Sequence, residues 1–213
     1  MNVLIWFLGF SVLLILVFFT VATLYSYRLL PREGRTTVDG ITTIEDAVRV
    51  CQESGKTGWE LVEFARWISA RKFTYSRRNH WDSPERAFER GMGYCIQQAY
   101  ALKLLYDGLG IQSQLVHAFR NRFSGGEVHG ISEPGKIFGH AWLRVRVGDE
   151  ERNVCPGREA NRFGALHFEP LSKVLPYAWW FHLVAHPGSV AVNFILDITA
   201  GQRAARRARF RCK

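Results

Sequence analysis

The chain has 213 residues, of which 47% are hydrophobic, 14% aromatic and 22% charged, ordinary globular proportions that exclude extended disorder for most of its length. No charged side chain stands between Met1 and Tyr27, a run that a wholly soluble protein does not carry. The formal charge of +9 is mainly a property of Arg203–Lys213, where six basic residues stand without an acid; the remainder has 22 basic against 19 acidic side chains, a net +3.

In chain order, Val3 to Leu24 comes first, roughly 33 Å of apolar helix, which matches the hydrocarbon thickness of a bilayer. A cleaved leader is disfavoured because no charged residue precedes the run and its length exceeds a usual leader core. Tyr25 and Tyr27 suit the headgroup layer, and Arg28, Arg32 and Arg35 follow, so positive-inside reasoning makes this a single-pass anchor with the following domain in the cytoplasm. Residues 1–27 are thus read as a transmembrane anchor, 28–40 as a polar linker, 41–200 as one domain and 201–213 as a basic tail. The tail is suited to anionic lipid. A nucleic-acid partner is not expected, since only Phe210 interrupts its basic run.

Thr43-Ile44-Glu45-Asp46 offers a capping hydroxyl and first-turn acids for a helix ending near Glu53. Leu61, Val62, Ala65, Trp67 and Ile68 fall near helical spacing within Trp59 to Arg71, a second amphipathic helix. Phe73 to Ser83 reads as a loop, and Ser83-Pro84 opens a short helix with proline at its first position. Gly91-Met92-Gly93-Tyr94-Cys95 then leads into an apolar helix closing at Gly108. Strands follow at Ile111 to Phe119, His140 to Val147 and Arg152 to Cys155; between the first two, Arg120 to Gly139 holds five glycines and reads as a long surface loop. Val174 to Ile198 is apolar but interrupted by Pro176, His182, His186, Pro187, Gly188 and Asn193, which favours buried strands or an interfacial hairpin over a second span.

Four cysteines, Cys51, Cys95, Cys155 and Cys212, include no CxxC pair, so neither a dense disulfide framework nor a zinc ribbon is indicated. A zinc set of Cys95, His117, His140 and Cys155 has no recognised ligand spacing, and no cofactor motif occurs. Cys95 stands at a helix N-terminus, where unpaired N–H groups and the helix dipole favour a thiolate. His140, in Gly139-His140-Ala141-Trp142, is placed to take a proton from it. His117 and His129 either line the cleft or face solvent.

The order of these pieces resembles the transglutaminase-like superfamily, relatives of papain-type cysteine peptidases. The resemblance runs from about Leu61 to Gly157 and is carried by Ile68 to Tyr75, Ser83-Pro84, Gly91-Met92-Gly93-Tyr94-Cys95, Leu109-Gly110-Ile111 and Gly139-His140-Ala141-Trp142. It implies an α+β, papain-like core with helices packed on an antiparallel sheet, Cys95 as the nucleophile toward a carbonyl and His140 as the base. The family's Asp-Pro after the histidine is here Cys155-Pro156. Asn153, two residues earlier and so on the same strand face, is the candidate orienting residue; Cys155 is the alternative, and Asp149 is too distant. An oxyanion hole would combine the Cys95 N–H with a donor such as Trp81 or Gln97. The expected activity is attack on a peptide or protein amide at the membrane, hydrolysis being favoured over transfer to an amine. The competing expectation is a catalytically silent binding or scaffold domain, which the missing carboxylate favours.

Overall fold

The structure, a computed structural model, describes residues 2–28, 33–76, 82–123, 126–128, 131–133, 137–161 and 166–178, with the backbone alone described at 2–5, 22–28 and between 126 and 138. Trp81, His129, the apolar region beyond Ala178 and the basic tail with Cys212 lie outside the described residues. The chain forms two compact units, Arg32–Tyr177 and Met1–Pro31 with Ala178–Lys213.

In the smaller unit, Asn2–Arg28 is one helix, α1. Its described side chains, Trp6 to Val21, are almost all apolar and exposed, and the two hydroxyls among them, Ser11 and Thr20, bond back to the carbonyls of Phe7 and Leu16. Among the described residues, no helix is long and apolar enough to cross a membrane. The side chains described in α1 stop at Val21, short of the apolar run read from the sequence.

The larger unit is an α+β fold. Helix α2 (Ile44–Glu53) starts at a capping box in which Thr43 Oγ1 accepts the Asp46 N–H and the Asp46 carboxylate accepts that of Thr43. Those main-chain donors, that of Thr42 and then Arg49 hold the Asp46 carboxyl down to about 2. Helix α3 (Gly58–Lys72), strand β1 (Thr74–Tyr75) and helix α4 (Pro84–Arg90) follow, the last capped by the Ser83 hydroxyl. Strand β2 (Met92–Gly93) pairs in parallel with β1 and delivers the chain to helix α5 (Cys95–Gly108). The sheet is built from β3 (Gln112–Phe123), β6 (Ile137–Val147), β7 (Glu150–Val154), β8 (Phe168–Pro170) and β9 (Leu175–Pro176). Its order is β7-β6-β3-β8, antiparallel throughout, with β9 also on β3; β4 (Gly126–Val128) and β5 (Ile131–Glu133) form a separate antiparallel pair.

One expectation changes. Residues 120–139 are not one loop, because β3 runs on to Phe123, β6 begins at Ile137 and β4 and β5 pair between them. A register shift between Ala118 and Asn121 lets the pairing continue, with the buried Asn121 amide bonded to the Ala118 carbonyl at 2.8 Å. Helix α5 closes at Gly108 as the sequence reading has it, and the left-handed residue that follows the helix is Gly110.

The segment read as a linker is bonded to the domain from Gly34 onward. Lys72 is fully buried and donates to the carbonyls of Arg35 (3.0 Å), Thr36 and Glu89 (3.3 Å). Burial pulls its ammonium down to about 8. Gly91 has φ +66°, and a side chain there would collide with the Arg35 backbone, so glycine at this position permits the close passage.

Side-chain parity divides the sheet. Leu115, Leu143, Val145 and Val154 face Leu102 and Leu105 of α5 in the main core. Val116, Ala118, Trp142, Cys155 and Phe168 form a second cluster on the other face. Each fully buried aliphatic side chain contributes about 1.5–3 kcal/mol.

Candidate active site

Cys95 is the first residue of α5 and is half-buried. Two glutamines of that helix fix the turn before it. Gln97 Oε1 accepts the Tyr94 N–H at 3.1 Å while its Nε2 donates to the Asp82 carbonyl at 2.7 Å, and Gln98 Nε2 donates to the Gly93 carbonyl at 2.8 Å. Of the two candidate oxyanion donors, Gln97 thus has one amide N–H committed to the Asp82 carbonyl. Trp81, the other, lies outside the described residues.

His140 stands on β6 opposite Ala118, at the register shift, and is 9% exposed. Its Nε2 lies 3.3 Å from Cys155 Sγ, which also accepts the Gly157 N–H at 3.4 Å. The sulfur thus occupies the place that the sequence resemblance gives to a carboxylate. Asn153 does share the face of His140, as expected, but not its contact. Register sets Asn153 opposite Arg144, and its Oδ1 accepts the Trp142 indole N–H at 2.9 Å. Asn153 therefore steadies Trp142, and the ring of His140 is oriented by Cys155 instead.

Four rings enclose the His140 imidazole. Trp142 lies nearly parallel at 6.1 Å, and Phe168 (4.6 Å), Phe123 (5.3 Å) and His167 (5.8 Å) meet it edge to face. Burial, then the neighbouring His167, hold His140 down to about 3, so it is neutral at pH 7. Burial pushes the Cys155 thiol up to about 12 against a smaller opposing effect of the Gly157 N–H, so it too is neutral. A neutral thiol and a neutral imidazole share a weaker hydrogen bond than a carboxylate and an imidazolium.

Among the described residues, the hydrogen bond of the His140 ring is the one to Cys155, and none joins it to Cys95. Cys95 is near enough to Cys155 and Tyr177 to act on both electrostatically. Tyr177 stands between Tyr100 (6.2 Å) and His117 (5.6 Å), whose rings it meets at near right angles. His117 is buried on the α5 side of the sheet, and burial lowers its affinity for a proton. Among the described residues, no three His, Cys, Asp or Glu side chains are arranged to hold a metal ion.

The loop after β7 is held from two sides. Arg66, buried on α3 and paired with Glu63, donates to the carbonyls of Arg158 (3.0 Å) and Glu159 (3.1 Å). Asn161, also buried, donates from Nδ2 to the Cys155 carbonyl at 3.1 Å and accepts at Oδ1 from the His167 main chain (3.2 Å) and ring (3.0 Å). Sequence reading did not single out Arg66, Asn161 or His167. Nothing in their spacing marks them, because each reaches the site through the fold rather than through a motif.

No protein-family model and no curated protein matches the sequence. Among solved structures, the chain is similar to the crystal structure of a TGase, at 14% identity and a TM-score of 0.41, over 58% of this chain and 32% of that one. It is also similar to a Parabacteroides distasonis protein solved as a candidate protease, at 12% identity and a TM-score of 0.33, over 64% of this chain and 30% of that one. The chain thus spans about a third of the length of each.

Proposed function

We propose that the chain is a membrane-anchored, cysteine-dependent acyl-transfer enzyme in which Cys95 attacks an amide carbonyl of a peptide or protein and His140 serves as general acid and base. The observation that carries this reading is the orienting contact. A buried imidazole with Nε2 fixed on a neighbouring sulfur 3.3 Å away has its Nδ1 left to exchange a proton with the nucleophile.

In the proposed reaction, the Cys95 thiol proton passes to His140 Nδ1 as the sulfur bonds to the carbonyl carbon. That proton is returned to the leaving nitrogen as the C–N bond breaks, which leaves a thioester on Cys95. Water then adds with His140 taking its proton, the C–S bond breaks, and the acid leaves with the thiol restored. Hydrolysis is preferred to transfer, since transfer requires a second, water-excluding site for the amine. The apolar run 3–24 supports the anchor, the arginines after it support a cytoplasmic domain, and the basic tail supports contact with anionic lipid. A reporter fused after Lys213 and assayed on each side of the membrane tests the orientation.

A second reading, a silent binding domain, draws on the same site, because a neutral thiol at the orienting position stabilises an imidazolium poorly. p-Nitrophenyl acetate separates the two. The enzyme reading expects a burst of nitrophenolate close to one equivalent per chain, an acetyl adduct on Cys95 by mass spectrometry, and loss of both in Cys95→Ala. A rate equal to that of Cys95→Ala supports the binding domain.

A further inference from the structure

Lys72 is a fully buried cation that the Cys95–His140 chemistry does not use. An ammonium has three N–H donors and no acceptor. Main-chain carbonyls meet all of them: those of Arg35 (3.0 Å) and Thr36, on the segment ahead of α2, and that of Glu89 (3.3 Å), in the last turn of α4. The ammonium also lies 5.4 Å from the centre of the Phe88 ring of the same turn.

Carbonyls in the last turn of a helix have no partner within it. At the end of α4 they are met by the chain around them. The Gly91 N–H takes the Phe88 carbonyl at 3.0 Å, Lys72 takes that of Glu89, and the Gly34 N–H takes that of Arg90 at 2.8 Å. Beyond the helix, the Thr74 N–H donates to the Gly91 carbonyl at 2.8 Å and the Ser76 N–H to that of Gly93 at 3.0 Å. Residues 34–36 and 72–76 together therefore grip the run from Glu89 to Gly93.

The grip is a crossing of two backbones. A side-chain carbon built at Gly34 would lie 2.5 Å from the Gly91 carbonyl oxygen and 2.9 Å from Met92 Cγ, while one at Gly91 would collide with the Arg35 backbone. Gly34 is exposed and stands in no helix or strand, where a loosely held segment would accept any residue. Cys95 follows Gly93 by two residues, and the glutamines at 97 and 98 hold the Tyr94 N–H and the Gly93 carbonyl, so the run has little slack to absorb a displacement of Gly91.

We propose that Lys72 and Gly34 are positioning residues: by clamping residues 34–36 onto the end of α4 they fix the run from Gly91 to Tyr94, and with it the place of the Cys95 sulfur. The proposal rests on the Cys95–His140 reading and extends its framework to a segment far from the nucleophile in sequence.

The test is Gly34→Ala in the full-length chain, a change that in an unengaged segment leaves stability unchanged or slightly raised. Iodoacetamide alkylation of Cys95 per folded molecule is measured together with hydrogen exchange, read by mass spectrometry on peptides covering residues 89–97 and strands β6 and β7. Alkylation should slow about tenfold, inside the penalty for a misplacement near 1 Å. Exchange over residues 89–97 should quicken about tenfold while β6 and β7 keep wild-type protection. Lys72→Met keeps an unbranched stem without donors and should do the same; where it does not fold, Gly34→Ala decides alone. Wild-type alkylation in either folded variant overturns the proposal, and so does exchange that quickens equally throughout the domain, which is lost stability without positioning. If wild-type Cys95 itself alkylates no faster than free cysteine, the thiol-enzyme reading fails; exchange quickened at residues 89–97 alone then still upholds the clamp, and unchanged exchange there overturns it.

Discussion

On the side of the sheet that meets α5, Leu115, Leu143, Val145 and Val154 are buried among hydrocarbon side chains. On the other side, β6 carries His140 and Trp142, and Cys155 just past the end of β7 joins them, among Phe123, Phe168 and His167. The strand period of two separates them, so adjacent residues such as Trp142 and Leu143 serve different ends. One face stabilises by area removed from water. The other holds polar groups in uncharged states by burying them against rings, which costs stability whenever those groups must charge. Substitutions on the two faces should therefore separate folding from reactivity.

The largest expected effect on stability is on the hydrocarbon face. Leu143→Ala should lower the free energy of unfolding by about 2–5 kcal/mol, read from urea denaturation, with Cys95 alkylation per folded molecule unchanged. A matching loss of alkylation would blur the division.

Acid should act through the other face. His140 and His167 are held at about 3 and about 4, in both cases chiefly by burial, below the ordinary value near 6.5. Between those limits the unfolded chain binds protons that the folded chain does not, so stability falls as pH drops below about 6.5 and stops falling through these groups once they protonate in the folded state. At pH 5 the loss should be on the order of 2 kcal/mol per histidine, and His167→Phe should reduce the dependence. A stability unchanged between pH 7 and pH 5 would contradict the buried, neutral assignment.

The smallest effect is the most informative about chemistry. Cys155→Asp places a carboxylate on His140 Nε2, raising the proton affinity of the ring and fixing its tautomer. Alkylation of Cys95 should rise about tenfold, the equivalent of one unit in the proton affinity of the base. A fall would mean that the sulfur is not the orienting group.

Local signals were legible in the sequence wherever one turn of chain contains them. Thr43 with Asp46, and Ser83 with Pro84, mark helix starts that the structure places at Ile44 and Pro84. What depended on register was not. Parity puts Asn153 and Cys155 on one face, but only the pairing of Leu143 with Val154 shows that Asn153 meets Trp142 and that Cys155 is left for His140. The glycine-rich stretch 120–139 reads as a loop because glycine favours loops locally, whereas the continued pairing of β3 with β6 past Asn121 is a long-range effect. His167 and Asn161 carry no local pattern, and their roles arise from a loop folded back over Cys155.

The activation of Cys95 by His140 is tested most directly by the rate of iodoacetamide alkylation at Cys95, followed by mass spectrometry from pH 6 to pH 8 in the full-length wild type and in His140→Ala. The wild type should react faster than free cysteine across that range, and the variant should fall by about two orders of magnitude with its fold retained. Superimposable profiles for the two proteins would contradict a catalytic pair and leave the domain as a binding module.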